Sequence, residues 1–395
     1  MAISYLDKAD FENQKVIARF DFNVPLDKKT GEILDSTRID LALPTIKYIL
    51  QNNPKKLILI SHLGRPKGKK DPALSLSVVA TYLAEKLDEE ITLTESATDR
   101  GIKHILDIPK NKVILLENIR FHKEETECNE EFSRLLASYA NIYVNDAFGT
   151  CHRKHASTYE LNKYFKQKSY AGFLIQKEIK ALDQIVKNPA TPFYAIVGGA
   201  KVSDKIKIIN KLLPLVQKLF IGGAMAYPFL KAKGQDIGKS LCFDEDVNLA
   251  TSILREGLSS KIVLPIDHLV ASSPDNIDNV ENVDLIPNDK MALDIGCKSK
   301  ELFKAELSDG KTILWNGPMG MFEKEVFSTG TFEIARILSG LNGFTLIGGG
   351  DSVSAINKSG LADKISHIST GGGASLEYIE NGSLPGIDAL KYGLE

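Results

Sequence analysis

Cysteine, net charge and long apolar stretches are all scarce in this chain. Its four cysteines, Cys128, Cys151, Cys242 and Cys297, are scattered with no C-x-x-C pair. That spacing argues against a disulfide framework or a zinc site and points to reduced thiols in a cytosol. The formal net charge is −2, so nothing pulls the whole molecule toward nucleic acid or an anionic membrane. No stretch approaches the ~20 apolar residues of a membrane span, and the opening MAISYLDKADFENQK has no apolar signal region. The expectation is a cytoplasmic protein with neither a membrane nor a nucleic-acid partner. Three nucleotide signatures are missing as well: the G-x-x-x-x-G-K-[ST] P-loop, the G-x-G-x-x-G dinucleotide fingerprint and the protein-kinase motifs. A nicotinamide-dependent dehydrogenase is disfavoured, and any nucleotide site is of another kind.

The chain has 395 residues, 43% of them hydrophobic and 25% charged. That length exceeds one ordinary core and predicts two domains. Short Val/Ile/Leu-rich runs recur throughout: KVIARF from Lys15, KLILIS from Lys56, KVILLE from Lys112, NIYVND from Asn141, FYAIVGG from Phe193, KLFIGG from Lys218, KIVLP from Lys261, KTILWNG from Lys311 and GFTLIGGG from Gly343. Each is of strand length and continuous rather than alternating, as when both faces are covered. Helix-like segments lie between them, such as LSLSVVATYLAEKL from Leu74 and EEFSRLLASYA from Glu130. Strand–helix alternation predicts an α/β fold with parallel sheets. AGFLIQKEIKALDQIVKNP from Ala171 reads as a connecting helix stopped at Asn188 and Pro189.

In open α/β sheets, ligands sit outside the carboxyl ends of the strands. In the first half these ends carry Asp21, Asn23 and Arg38; His62, Gly64 and Arg65; Asn118 and Arg120; Asp146, His152, Arg153 and His155. Gathered at one edge, the arginines suit phosphate and carboxylate, because a planar fork donates in pairs. In the second half the ends are glycines: Gly198–Gly199, Gly222–Gly223, Gly317 and Gly320, Gly348–Gly350, and Gly371–Gly373. Glycine lets backbone approach a base or phosphate closely, and tight turns are the plainer use of each pair taken alone. Lys201 and Lys205 in GGAKVSDK are four apart. A helix starting at the glycines puts both ammonium groups on one face, around an anion or simply in solvent. Asp351, directly after GGG, suits a Mg²⁺ ligand and equally a helix N-cap, a duty Ser352 also suits.

These segments resemble the phosphoglycerate kinases from end to end. RFDFNVPL from Arg19, SHLGRPKG from Ser61, LENIRF from Leu116, NDAFGTCHRKHAS from Asn145, GGAKVSDKI from Gly198, GGAMAY from Gly222, LWNGPMGMFE from Leu314, GGGDSVSAI from Gly348 and HISTGGGASLEYIE from His367 occur in that family's order and spacing. The resemblance implies two Rossmann-like doubly wound parallel-sheet domains separated by a deep cleft and joined by an interdomain helix. It implies an N-terminal domain over 1–170 for 3-phosphoglycerate or 1,3-bisphosphoglycerate, with the tail 374–395 packing back on it. A C-terminal domain over 171–373, with its linking helix at 171–188, would take Mg-ADP or Mg-ATP. Carried over, the triose site uses Asp21, Asn23, Arg38, His62, Arg65, Arg120 and Arg153. The nucleotide site uses Gly199, Lys201, Gly223, Asn316, Glu323 (for the ribose), Gly349, Gly350, Asp351 (the metal ligand) and Ser352. Arg38, Lys201, Lys205 and the amides of Gly350 and Gly372 surround the transferred phosphoryl group. The implied reaction is in-line phosphoryl transfer between the acyl phosphate and ADP in a monomer. With the two sets of groups on different domains, closure is expected, on hinges near Glu178 and His367–Thr370, where the chain is expected to cross between them. Two departures stand out: Ser352 where Thr is frequent, and Pro228 in GGAMAYPFL, which removes a backbone donor near a helix start.

Overall fold

Each of the nine apolar runs becomes a parallel strand in the computed structural model, which describes residues 2–255, 257 and 259–392. The first sheet holds β1 (Lys15–Arg19), β2 (Lys56–Ile60), β3 (Ile91–Leu93), β4 (Val113–Leu115), β5 (Ile142–Asn145) and β6 (Ser169–Ala171). Their order is β3-β4-β2-β1-β5-β6, all parallel. The central strands are continuous in apolar residues because helices cover the sheet. Ile39, Ala42, Ile46 and Ile49 of helix Thr37–Gln51 and Val79, Ala80 and Leu83 of helix Ser77–Leu87 pack on Val16, Ala18, Leu57 and Leu59.

The second large sheet is built from β7 (Phe193–Val197), β8 (Lys218–Ile221), β9 (Ile262–Val263), β13 (Thr312–Asn316), β14 (Phe344–Ile347) and β15 (His367–Ile368), in the order β15-β14-β13-β7-β8-β9. Between β9 and β13 the chain adds a small antiparallel sheet of β10 (His268–Ala271), β11 (Glu281–Val283) and β12 (Met291–Ile295), in the order β11-β10-β12. Phe303 and Leu307, Ile334 and Leu338, and Ala355 and Ile356 come from helices Cys297–Leu307, Thr329–Ser339 and Gly350–Ser359. They pack against Ile196, Ile313, Trp315 and Ile347.

The chain divides into one unit of Met1–Lys180 with Ser383–Glu395 and another of Ala181–Gly382. The expected boundaries, after 170 and after 373, fall earlier in the chain than these. The connecting helix runs Phe173–Val186, so its first part belongs to the first unit and its last turns to the second. Residue 1 and the last three residues of the expected tail, 393–395, lie outside the described residues.

In both large sheets the chain order reverses beside a central strand, at β1/β5 in the first and β7/β13 in the second. Such reversals open a crevice at the carboxyl ends of the two strands. The crevice at β1/β5 begins with Arg19 and Asn145, and the one at β7/β13 with Gly198 and Gly317.

Candidate active site

The first crevice is basic and cross-linked. Arg38, at the start of helix Thr37–Gln51, donates through Nη1 to Asp21 Oδ2 (3.3 Å) and to the Asn23 carbonyl (3.0 Å). Asn23 Oδ1 accepts from the Gly64 amide (2.8 Å), and Arg120 Nη1 donates to the Gly64 carbonyl (3.0 Å). Gly64 has φ +63 at this turn, and a Cβ there would come within 2.7 Å of Leu74. Asn118 sets the next loop: its Nδ2 donates to the Leu63 and Leu74 carbonyls and its Oδ1 accepts from the Arg120 amide. Arg153 Nε donates to His152 Nε2 (3.0 Å), and Arg65 stands exposed beside Gly64.

Electrostatics follow from this crowding. His62 is buried, and both burial and the guanidinium groups of Arg19, Arg120 and Arg38 hold its pKa well below the usual imidazole value. His155 is pushed down to about 3 by burial and by Arg120, Arg19 and Arg153. Burial beside Arg19 lowers Arg120 to about 10. Neutral histidines beneath several arginines leave a strong positive field, and an anion is its natural complement.

The second crevice is floored by glycine backbone. Gly199 (φ +129), Gly223 (φ +65) and Gly317 (φ +103) adopt backbone that other residues rarely tolerate. A Cβ on Gly223 would meet the Gly199 carbonyl at 2.8 Å. Above this floor lies a cleft of about 540 Å³ lined by Gly199, Gly223, Lys239, Glu323 and Asp351, with Leu241, Met291, Leu293, Pro318 and Met321 among its apolar walls. The volume falls in the ordinary range for a small-molecule site, and the walls suit the faces of a flat ring.

Asp351 lies exposed in the first turn of helix Gly350–Ser359, whose N-cap is Gly349 (φ +90). Neither Asp351 nor Ser352 caps that helix: Ser352 Oγ instead accepts from the Gly317 amide (2.5 Å). Asp351 lines the cleft. Gly372 (φ +54) is the N-cap of helix Gly373–Asn381.

The lysine pair departs from the helix-face expectation. The helix after β7 starts only at Ile206, so Lys201 and Lys205 do not share a helical face. A turn at Ser203–Lys205 intervenes, where the Ser203 amide donates to buried Asp246 (2.8 Å). Lys201 Nζ lies over the Phe243 ring, 4.6 Å from its centroid. Lys205 Nζ donates to Asn316 Oδ1, while Asn316 Nδ2 holds the Gly348 carbonyl (2.7 Å). Asn316 is fully buried, so its side chain anchors Lys205 and the glycine loop together. Burial lowers the Lys205 pKa, against the opposing pull of Asp351, Asp204 and Glu380. Pro228 sits in the first turn of helix Ala226–Ala232, where a missing N–H breaks no helical bond.

Residues beyond the sequence reading also belong here. Arg19 is fully buried at the end of β1, bonded to His62 and Ser157. The signal was present as a charge inside the run KVIARF, at a position where only a partnered cation is tolerated. Lys239, Leu241, Met291 and Leu293 carried no motif; a loop and β12 bring them to the cleft.

A basic anion crevice on one parallel sheet, and a glycine-floored cleft with a lysine and a carboxylate on another, define a phosphotransferase on two α/β units. The family model for phosphoglycerate kinase matches residues 6–382. The phosphoglycerate kinase of Anaeromyxobacter dehalogenans (strain 2CP-C) is 46% identical over 398 residues, covering 99% of this chain and all of that one. That of Clostridium botulinum (strain Eklund 17B / Type B) is 47% identical over 391 residues, 98% of each. The solved structure of phosphoglycerate kinase from Coxiella burnetii superposes with a TM-score of 0.89 at 37% identity, covering 98% of this chain and 99% of that one. The chain belongs to the phosphoglycerate kinase family, the glycolytic kinases of the 3-phosphoglycerate carboxyl group. Among the described residues, no helix is long and apolar enough to cross a membrane.

Proposed function

We propose that the first unit binds 3-phosphoglycerate or 1,3-bisphosphoglycerate through Asp21, Asn23, Arg38, His62, Arg65, Arg120 and Arg153. The observation that carries this reading is the gathering of Arg19, Arg38, Arg120 and Arg153 at the β1/β5 crevice, where burial first and then these guanidinium groups hold His62 and His155 neutral. A small polyanion is the ligand such a cluster selects.

In the same reading the second unit takes ADP or ATP in its cleft. The base lies between the apolar walls, Glu323 meets the ribose hydroxyls, and Gly199, Gly223, Gly349, Gly350 and Ser352 shape the loops at the phosphates. Asn316 contributes by holding Lys205 and Gly348 in place. Mg²⁺ would arrive with the nucleotide and be held by Asp351. Of the two exposed carboxylates lining the cleft, Glu323 and Asp351, the one at the start of helix Gly350–Ser359 fits an ion that takes one or two carboxylates plus phosphate oxygens. Among the described residues no cluster of three or more His, Cys, Asp or Glu offers a protein-only metal site. Bound there, the ion supplies charge neutralisation at the phosphates.

Transfer needs no nucleophilic side chain. A terminal phosphate oxygen of ADP attacks the acyl phosphorus, and the carboxylate of 3-phosphoglycerate leaves. Arg38, Lys201, Lys205 and the amides of Gly350 and Gly372 meet the charge on the equatorial oxygens. Lys201 reaches it by leaving the Phe243 ring. These groups are divided between the two units, so both must act on one phosphoryl group, and closure would keep water from the acyl phosphate. Hinges near Glu178 and His367–Thr370 would serve: the chain passes from one unit to the other at Lys180/Ala181, close to the first, and returns at Gly382/Ser383, beyond the second. Small-angle scattering should show a smaller radius of gyration with both substrates bound; an unchanged radius would count against closure. We further read the protein as a cytoplasmic monomer.

The test is a coupled assay of ATP-dependent phosphorylation of 3-phosphoglycerate, wild type beside Arg38→Ala. Loss of one transition-state charge partner should lower kcat by about 10²- to 10³-fold and leave Mg-ADP binding intact. Weakened Mg-ADP binding in that variant would overturn the two-site division.

A further inference from the structure

Arg19 is the most constrained charge in the first crevice, yet it stands beneath the expected ligand contacts rather than among them. Its Nε donates to Ser157 Oγ (2.8 Å), its Nη1 to the Phe20 carbonyl, and its Nη2 reaches His62 Nδ1 (3.1 Å). Ser157 passes the contact on: its Oγ donates to Glu125 Oε1 (2.7 Å), and its amide to Glu125 Oε2 (2.9 Å). Glu125 and Ser157 are fully buried. The relay gives the arginine a counter-charge and fixes the plane of its fork.

A guanidinium has five donors and no acceptor. The His62 nitrogen facing Arg19 must therefore carry the lone pair, which places the proton of the neutral ring on Nε2. Asp21 Oδ1 competes for the same nitrogen from 3.8 Å, beyond hydrogen-bond reach, and favours the opposite tautomer, since a carboxylate wants a proton on Nδ1. We propose that Arg19 is a positioning residue: it holds His62 in the Nε2–H tautomer, so that the ring offers the anionic triose a donor rather than a lone pair. Without Arg19, Asp21 draws the proton to Nδ1 and Nε2 turns from attractive to repulsive. The inference rests on the reading of His62 as a triose contact, but the tautomer itself is measurable without substrate.

The experiment is imidazole ¹⁵N NMR on the full-length chain at neutral pH, with His62 assigned by subtraction of the His62→Gln spectrum. Wild type should show a pyridine-like Nδ1 and a protonated Nε2; a protonated Nδ1 overturns the Arg19 assignment on its own. Arg19→Met should shift the ring toward Nδ1–H and raise KM for 3-phosphoglycerate about tenfold to a hundredfold, with KM for ATP unchanged. Arg19→Lys, which keeps a donor and the charge, should retain the Nε2–H ring and guards against misfolding of the Met variant. A Met variant with raised KM but an unshifted tautomer overturns the proposal. An unchanged KM for 3-phosphoglycerate in His62→Gln would instead overturn the placement of His62 in the triose site, and with it the purpose assigned to Arg19.

Discussion

Asn316 and Lys205 make one device out of two residues that the sequence presents as separate contacts. The amide of Asn316 faces both ways: Oδ1 takes the Lys205 ammonium and Nδ2 takes the Gly348 carbonyl. Replacing it with Leu leaves a half-buried ammonium without its acceptor, a loss of roughly 1–3 kcal/mol. Asn316→Leu should therefore reduce kcat/KM by about tenfold to a hundredfold in the coupled assay, with the far-UV spectrum retained. Unchanged kinetics would mean that Lys205 finds its place without Asn316. The residue types at this site were legible in GGAKVSDK and GGGDSVS; the lysine geometry was not. It depends on where the helix after β7 begins, and spacing alone does not register that Asp246 bonds Ser203 within the turn. Cysteines give a second check at this scale. Cys151 is sealed in the core and burial pushes its thiol up to about 12, whereas Cys297 is exposed. A thiol reagent at pH 8 should label Cys297 in the native protein and reach Cys151 only on unfolding; native labelling of Cys151 would contradict its burial.

At the scale of elements, the strands readable in sequence were those covered on both faces, such as β2 and β13, where every residue is buried. The others lie at edges or mix polar with apolar residues: β3 is half-buried throughout, and β11 is Glu281–Val283. A short edge strand buries too little to impose a continuous run; β9, at the sheet edge yet marked by KIVLP, is the exception. Helix starts carry chemistry of their own. Buried Asp146 accepts the Ile175 amide (3.1 Å) at the start of helix Phe173–Val186, and burial raises its pKa to about 7. An unfolded aspartate titrates near ~3.9. The protonated form is thus favoured in the fold, and this stabilisation, on the order of 4 kcal/mol, is lost as pH rises from about 4 to about 7. His62 and His155 act with the opposite sign. Their depressed pKa values give stability that is present above the unfolded imidazole value of about 6.5 and lost as pH falls below it. In wild type the two slopes offset each other. Asp146→Asn keeps an acceptor for the Ile175 amide and removes one slope. Urea unfolding of this variant should show first-unit stability rising with pH between about 4.5 and 6.5, more steeply than in wild type. Parallel pH profiles for the two proteins would remove Asp146 from this account.

For the molecule as a whole, the decisive feature is that the first unit is closed by the end of the chain. Leu384, Ile387, Ala389 and Leu390 are buried, and the helix Pro385–Tyr392 packs on Glu160–Tyr164 and β6. The Gly386 amide donates to the Cys151 carbonyl (2.8 Å), and a Cβ at Gly386 would stand 3.1 Å from Cys151 Cα, so the two backbones touch. Periodicity in LPGIDALKYGLE gives no partner for this helix; only the assembled unit does. Burial of the two leucines and the isoleucine alone is worth on the order of 5 kcal/mol, a large share of the 5–15 kcal/mol that typically holds a domain together. A chain ending at Gly382 should therefore lose stability in the first unit and keep it in the second. Two probes separate them. The only tryptophan, Trp315, is fully buried in β13 and reports the second unit, whereas far-UV circular dichroism reports both. On heating, the truncated chain should show an early dichroism transition of the first unit while the Trp315 fluorescence midpoint stays at its full-length value. A fluorescence midpoint that falls together with the dichroism would mean that the two units unfold as one cooperative body, and the assignment of the tail's stabilisation to the first unit alone would fail.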